Sequence, residues 1–172
     1  MKTLASFFSA FRTDNTAARK IFWILAVLAG IFMVWISKDY GITWDEWEAS
    51  TYGSYLVRYF LSGFKDLTFF NWEAFHPYGK PVYMAAFILK GLFSGSVADF
   101  VQHGLRTDSL ILGFYETAHR LNALTGFMAI LFTGLLAKEL GNWRTALLAS
   151  LFLFLSPRFF GSAMNNYKDI PF

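Results

Sequence analysis

The 172-residue chain contains no cysteine, which excludes disulfide bonds, thiolate metal sites and a cysteine nucleophile. A His-Glu-x-x-His pattern, a glycine-rich phosphate loop and a Ser-x-x-Lys pattern are also absent, so these catalytic signatures do not apply. The net charge is only +3 and the basic residues are scattered, so we expect no nucleic-acid partner. No Ala-x-Ala-like site follows the first apolar run, which favours a retained membrane anchor over a cleavable signal peptide.

Apolar residues, in contrast, are abundant and clustered. Hydrophobic residues make up 55% of the chain, 21 residues are Phe, and the mean hydropathy is +0.39. This composition predicts an all-α integral membrane protein. We expect about three transmembrane helices, at Ile21–Ser37, Leu121–Ala137 and Thr145–Phe160, the last running on through Pro157. The first run is uncharged and about 25 Å long as a helix, which is enough to span a bilayer.

Small and polar residues recur at helical spacing along the second predicted span, which then ends in a tight Gly-Asn turn. A stripe of this kind favours close helix–helix packing in lipid. Its members are Asn122, Gly126, Ala129, Thr133 and Ala137. We therefore expect this face of the second span to contact the neighbouring spans.

The distribution of basic residues predicts the orientation. They precede the first span and flank the turn between the second and third spans, so the positive-inside rule places the N-terminal segment, residues 1–20, and this turn in the cytoplasm. A long first external loop then joins the first two spans. It contains an interfacial or re-entrant helix at Pro81–Phe93, whose apolar run is about half the length that a crossing needs. In this topology Asp45 and Asp169 face the same compartment.

An acidic motif, Thr43-Trp44-Asp45-Glu46, lies just beyond the first span. Carboxylates so close to the hydrocarbon boundary are costly unless they have a partner or a function. The motif fits a capping box, with Thr43 as the N-cap and Glu46 at the third helical position. A helix from Trp44 to about Leu61 is then expected. The acids either only favour this helix N-terminus, or one of them orients or deprotonates a hydroxyl nucleophile at the membrane surface, and spacing alone does not choose.

Three further charged residues stand near the predicted membrane boundaries. Lys80 directly precedes the re-entrant segment, where it either meets a lipid phosphate or simply reaches the headgroups as a snorkelling lysine. Arg120, in the pair His119-Arg120, opens the second span on the outer face, and a cation there runs against the positive-inside trend and could pair with Asp45, Glu46 or a phosphate. Asp169 follows the third span and is equally compatible with a site residue and a plain loop acid.

Two Glu-x-x-His spacings, Glu73/His76 and Glu116/His119, are also present. Such pairs can hold two irons in a four-helix bundle when two further Glu residues are available. No clear Glu partner comes from the predicted spans, so a di-iron site is not favoured. The metal ligands stay unassigned, and use of a divalent metal stays open.

Four local patterns, taken in order, resemble the N-terminal part of the glycosyltransferase-C superfamily. They are Trp44-Asp45-Glu46 after the first span, His76-Pro77 with Lys80-Pro81, Ala118-His119-Arg120-Leu121 at the second span, and Leu155-Ser156-Pro157 followed by Asp169. The nearest likeness is to dolichyl-phosphate-mannose-type protein mannosyltransferases and to bacterial enzymes that transfer aminoarabinose to lipid A.

The resemblance implies a polytopic helical fold that transfers sugar from a polyprenyl-phosphate donor to a protein, lipid or glycan acceptor. It implies that Asp45 is the acidic catalytic residue and that Glu46 assists acceptor binding. It also implies that Lys80 and Arg120 contact the donor phosphate. Asp169 would belong to the second external loop of the site.

On this basis residues 21–172 are expected to be the N-terminal part of a longer glycosyltransferase domain, inactive by itself, in the plasma (inner) membrane of a bacterium. Two alternatives belong to other classes of protein. A transporter or channel fragment would use its acids to bind an ion near the membrane midplane. A small multi-pass scaffold would have no catalytic role. The acids lie at the ends of the spans and not inside them, which favours an enzyme acting at the membrane surface.

Overall fold

The computed structural model describes residues 15–44, 46–71, 81–93 and 108–166, and this part of the chain is helical without any strand. The all-α class predicted from composition is therefore confirmed. Six α-helices and two short 3-10 segments, Ser37–Asp39 and Thr68–Asn71, are present there. The helices are α1 (Thr16–Ile36), α2 (Glu46–Leu61), α3 (Pro81–Phe93), α4 (Asp108–Leu140), α5 (Trp143–Phe154) and α6 (Pro157–Asn165).

Helix α1 begins earlier than the predicted first span. The side chain of Asn15 caps it by accepting hydrogen bonds from the backbone N–H groups of Ala17 and Ala18, at 3.0 and 3.2 Å. The stretch Thr16–Asp39 is long and apolar enough to cross a membrane. Its large apolar side chains are mostly exposed, as expected for a helix that faces lipid. The most exposed are Ile24, Val27, Leu28, Ile31 and Trp35.

Helix α4 is much longer than the predicted second span. It runs for 33 residues, and its portion Phe114–Leu140 is the second stretch long and apolar enough to cross a membrane. The predicted span Leu121–Ala137 lies inside it. The helix begins at Asp108, inside the stretch predicted to be the long first external loop. The helix includes the charged residues that were expected to mark the span boundaries, and there Arg120 pairs with Glu116 and Lys138 with Glu139.

The predicted third span is not one continuous helix. Helix α5 ends at Phe154, α6 begins at Pro157, and the two axes are bent by 68°. Ser156 has an extended backbone (ψ 111°), which is the conformation favoured before proline. Proline cannot donate the helical hydrogen bond and clashes with the preceding turn, so the prediction of a helix running through Pro157 is wrong. The bent pair counts as one broken span or a re-entrant loop, giving two candidate spans or up to three.

Side chains of α1 and α5 pack directly on α4 at Gly134. A Cβ atom added there would lie 2.1 Å from Oγ of Ser150 and 2.7 Å from a ring carbon of Phe22, so only glycine permits this approach. Of the predicted small-residue stripe, Asn122 is buried but Thr133 is exposed. The predicted stripe is therefore wrong near its end. Gly134 is buried instead, because the face of α4 that meets α1 and α5 there is not the face that carries Asn122 toward α6.

Helices α1 and α4 run antiparallel. In addition to the contact at Gly134, the middle of α1 meets α4 where Gly30 faces the ring of Phe127 closely. The end of α1 meets the first part of the α4 span, because Lys38 and Arg120 line a common surface groove. The C-terminal end of α1 and the N-terminal part of the α4 span therefore lie at the same end of the bundle.

Two apolar clusters hold α1, α4, α5 and α6 together. In lipid, such helices associate through close packing and hydrogen bonds, since the surrounding chains are themselves apolar. One cluster is built on Met33, Ala123, Ile130, Ala163 and Met164. The other is built on Ala18, Phe22, Trp143 and Ala146.

Helix α2 ends at Leu61, as predicted, in a Schellman motif. The N–H of Gly63 donates to the carbonyl of Phe60 at 3.1 Å, and the N–H of Phe64 donates to that of Tyr59 at 2.9 Å. Gly63 and Phe64 both adopt positive φ, 64° and 68°. The left-handed conformation is unusual for Phe64, whose ring packs 5.1 Å from that of Tyr59.

Helix α3 has the predicted bounds and packs between α2 and α4. Val57 of α2, Val82 and Ala86 of α3, and Phe114 and Ala118 of α4 are all buried. This packing attaches the helices of the predicted external loop to the first turns of the α4 span.

Candidate functional site

A buried polar contact joins the start of α2 to α4. The Nε2 atom of His119 lies 2.9 Å from Oε1 of Glu46, and the two side chains are 3% and 0% exposed. The residues are 73 positions apart in the sequence. Burying a polar group costs free energy unless the group is hydrogen-bonded. The hydrogen bond between these two side chains therefore offsets the cost of burying both of them.

The second carboxylate oxygen of Glu46 is also engaged. Oε2 accepts a hydrogen bond from the backbone N–H of Thr43 at 3.1 Å, and the N–H of Glu46 donates to the carbonyl of Thr43 at 3.2 Å. This is the half of the predicted capping box in which the acid reaches back to the N-cap backbone. The helix itself begins at Glu46, two residues later than the predicted start at Trp44.

With both oxygens bonded inside the protein, Glu46 positions the start of α2 against α4. The sequence analysis predicted acceptor binding for Glu46, and that role stays a prediction. Asp45, the predicted catalytic acid, directly precedes Glu46 in the sequence but lies outside the described residues. Arg120, the predicted phosphate ligand, directly follows His119. The buried pair therefore ties together the chain segments that carry two of the predicted site residues.

Arg120 itself is on the surface of α4. Its side chain is 48% exposed, and Nη2 lies 3.2 Å from Oε2 of Glu116, one turn earlier on the same helix. The predicted pairing of Arg120 with the acids of the external loop is not what these contacts show. An exposed pair at this spacing stabilises a helix only weakly, so it holds the guanidinium loosely.

The end of α6 reaches the same end of the bundle. The Nδ2 group of Asn165 donates to the backbone carbonyl of Gly41 at 3.3 Å, across 124 residues of sequence. Gly41 is four residues before Asp45, and Asn165 is four residues before Asp169. Asp169 lies outside the described residues. The chain segments leading to the two predicted acids nevertheless meet here.

Asn122 fixes α6 to α4 one turn beyond the buried pair. Its Nδ2 group donates to the carbonyls of Ser162 and Ala163, each at 3.2 Å. Its Oδ1 atom is buried and has no hydrogen-bond partner within the described parts of the chain. The sequence analysis treated Asn122 only as a member of a packing stripe.

The remaining predicted residues either lie outside the described parts of the chain or do not form the predicted metal site. Lys80, which directly precedes α3, and the Glu73/His76 spacing lie outside the described residues. For the second spacing, Glu116 pairs with Arg120, whereas His119 pairs with Glu46. Over residues 15–44, 46–71, 81–93 and 108–166, no three His, Asp or Glu side chains cluster as metal ligands.

Two side chains, Tyr52 on α2 and Asp66 in the turn after it, have shifted pKa values. Burial raises the pKa of the Tyr52 phenol. The pKa of the Asp66 carboxyl is lowered, first by a hydrogen bond from the Thr68 side chain and then by one from the Thr68 backbone. The guanidinium of Arg58, 3.0 Å away, acts in the same direction. These contacts stabilise the turn after α2.

Comparisons with known proteins add no relative. No protein-family model, curated protein or solved structure matches the chain. Function must therefore be argued from the arrangement of residues described above.

Sequence reasoning missed the central contact of the site. The sequence analysis named Asp45 and Glu46 as possible partners for a cation at positions 119–120, but it did not select His119, and no periodicity links position 119 to position 46. A signal was present, because an ionisable residue close to an apolar span calls for a partner. The sequence did not say which acid that partner would be.

Proposed function

We propose that this protein is a membrane glycosyltransferase. It would transfer a sugar from a polyprenyl-phosphate donor to a hydroxyl of a protein, lipid or glycan acceptor at the outer membrane–water interface. The hydroxyl oxygen attacks the anomeric carbon and forms the new C–O bond, while the bond from that carbon to the phosphate oxygen breaks. Polyprenyl phosphate leaves with the electron pair, and the hydroxyl proton passes to a base.

The buried contact between Glu46 and His119 carries the proposal. It joins Glu46, which directly follows Asp45 in the sequence, to His119, which directly precedes Arg120. Group transfer from a lipid phosphate needs an acid or base and a cation near one another at the membrane surface. Two residues that the resemblance assigns to these roles thus belong to chain segments that the structure joins.

The proposed topology has the N-terminus in the cytoplasm of a bacterium and the site on the outer face of its plasma membrane. The antiparallel arrangement of α1 and α4 supports it, since the end of one and the beginning of the other share an end of the bundle. The hydrogen bond from Asn165 to Gly41 supports the same placement for the end of α6. We propose three spans, with α5 and α6 together forming the third.

Each residue has a proposed role. Asp45 accepts the proton of the acceptor hydroxyl or orients that hydroxyl, and Glu46 and His119 position it. Arg120 and Lys80 stabilise the negative charge on the departing phosphate. A divalent metal could share that task, and the donor sugar and the acceptor are left open.

A transporter is less well supported. Such a protein would carry its ion-binding acids near the middle of a span. In the candidate span Phe114–Leu140, the charged residues lie near the two ends, and the stretch from 121 to 137 is uncharged. An enzyme that works at the membrane surface agrees better with this distribution.

The test is an Asp45→Asn substitution in the full-length enzyme, reconstituted in lipid vesicles. Release of polyprenyl phosphate from a panel of polyprenyl-phosphate sugars, with an acceptor mixture from membranes, is the measurement. We expect the variant to lose about 10²–10⁴-fold in turnover, the range for removal of a general base. Far-UV circular dichroism of the variant should be unchanged.

Asp39→Asn is the matched control, because Asp39 is an exposed acid beside the same membrane boundary. Its turnover should stay near that of the unchanged protein. Equal turnover in the Asp45 and Asp39 variants would remove Asp45 from the mechanism. If the unchanged full-length enzyme released no polyprenyl phosphate from any donor, the glycosyltransferase proposal itself would be rejected.

A further inference from the structure

A surface groove between α1 and α4 combines two cations with an apolar wall. Lys38, just after α1, and Arg120 of α4 line it together. The rest of its lining is Gly30, Ile31, Val34 and Trp35 of α1. The sequence analysis assigned no role to Lys38.

The side chains that line the groove carry a net positive charge. Among the described residues that line it there is no carboxylate. Lys38 Nζ stands 5.6 Å from the ring centroid of Trp35, so the ammonium lies over the groove wall. Arg120 uses one terminal nitrogen on Glu116, and a guanidinium has five N–H donors. It can therefore bind an anion without giving up that pair.

The cations stand at one end of the apolar wall. Ile31 lies seven residues before Lys38, which places it roughly 10 Å deeper along α1. Ile31 and Trp35 are among the most exposed apolar residues of the protein. A ligand that matches this groove has its negative charge at the membrane boundary and an apolar chain running inward along α1.

We propose that the groove binds a lipid with a single apolar chain and a terminal phosphate. The wall is formed by one face of one helix, which suits one chain better than the two chains of a phospholipid. A terminal phosphate carries a charge between one and two and three acceptor oxygens, which match two cations better than a phosphodiester does. That this lipid is the polyprenyl phosphate released in sugar transfer rests on the proposed function.

The test measures binding alone, without chemistry. Radiolabelled farnesyl phosphate is titrated into the full chain in phosphatidylcholine nanodiscs, and binding to empty nanodiscs is subtracted. We expect saturable binding, with Lys38→Gln and Arg120→Gln each raising Kd about tenfold through loss of a charge-assisted hydrogen bond. Lys38→Arg, which keeps the charge, should bind like the unchanged protein.

Arg144→Gln is the matched control, since it removes an exposed cation at the opposite end of the bundle and should leave Kd unchanged. Unlabelled farnesol, inorganic phosphate and phosphatidylglycerol are the competitors, and each should compete poorly. The inference is overturned if the Lys38 and Arg120 variants bind like the Arg144 variant. It is equally overturned if phosphatidylglycerol or farnesol competes as well as farnesyl phosphate. Since no sugar is transferred, the outcome is independent of the Asp45 experiment.

Discussion

Breaking the buried contact between α2 and α4 should reveal strong energetic coupling between its two members. We consider three variants: His119→Leu, Glu46→Leu and the double variant. Leucine roughly preserves side-chain volume, so each change mainly removes hydrogen-bonding groups. Both native side chains are almost completely buried, and solvent cannot replace the partner that is lost.

The magnitudes follow from the atoms left without partners. In His119→Leu, Oε1 of Glu46 is orphaned, which we expect to cost about 3 kcal/mol, the upper end for a buried unsatisfied group. Glu46→Leu orphans both the His119 ring nitrogen and the N–H of Thr43, at a similar cost of about 3 kcal/mol. The double variant leaves only the Thr43 N–H, so its cost should fall to about 1–2 kcal/mol, below that of either single variant.

Unfolding by sodium dodecyl sulfate in bicelles, followed by tryptophan fluorescence, measures these free energies. The exposed pair of Glu116 and Arg120 on α4 provides a control cycle, where coupling of at most about 0.5 kcal/mol is expected. If the costs of His119→Leu and Glu46→Leu simply add in the double variant, the two side chains are not coupled and our account of the site is wrong.

Two further predictions concern packing and pH. Gly134→Ala should destabilise the protein by about 1–3 kcal/mol, because the new Cβ would meet Ser150, whereas Gly41→Ala, with open space around it, should change stability by less than about 0.5 kcal/mol in the same unfolding assay. The lowered pKa of Asp66 contributes stability above the ordinary carboxyl pKa, and this contribution disappears as pH falls through the lowered value. Thr68→Val should raise the pKa of Asp66 in an NMR titration and weaken the dependence of stability on acid pH; an unchanged pKa would contradict the assigned cause.

The sequence predicted helix ends correctly where these ends depend on residues that are close together in the chain. The bounds of α3 and the end of α2 were predicted correctly, and the structure shows that both depend on local features, an apolar run for α3 and the turn at Gly63 for α2. The reach of Glu46 back to Thr43 was likewise expected from a spacing of three residues. These features depend on neighbours in the sequence and need no knowledge of the rest of the fold.

The break before Pro157 was misjudged for a different reason. Membrane helices often continue through proline when neighbouring groups satisfy the freed carbonyls, so an apolar run containing proline is ambiguous. Here the extended Ser156 separates two helices, and the second one turns toward α4. Two backbone carbonyls of α6 accept hydrogen bonds from Asn122 of α4. These are tertiary contacts, and nothing in the sequence of α6 predicts them.

The candidate site was predicted as a set of separate residues and not as an arrangement. The sequence analysis selected Glu46 and Arg120, but it did not predict that His119 would join their chain segments. It also overlooked Lys38, since a lysine at the end of a span is usually explained by its position alone. Which groups meet across a bundle depends on the rotation of each helix, and an apolar run leaves that rotation open.

The long separation between Glu46 and His119 has a consequence for biogenesis. The ribosome adds about 5–20 residues per second, so the partner of Glu46 is synthesised roughly 4–15 seconds after Glu46 itself. During that interval the Glu46 carboxylate has no histidine partner, so water must continue to solvate the beginning of α2. Docking of α2 on α4 through this contact can therefore begin only after His119 has been synthesised.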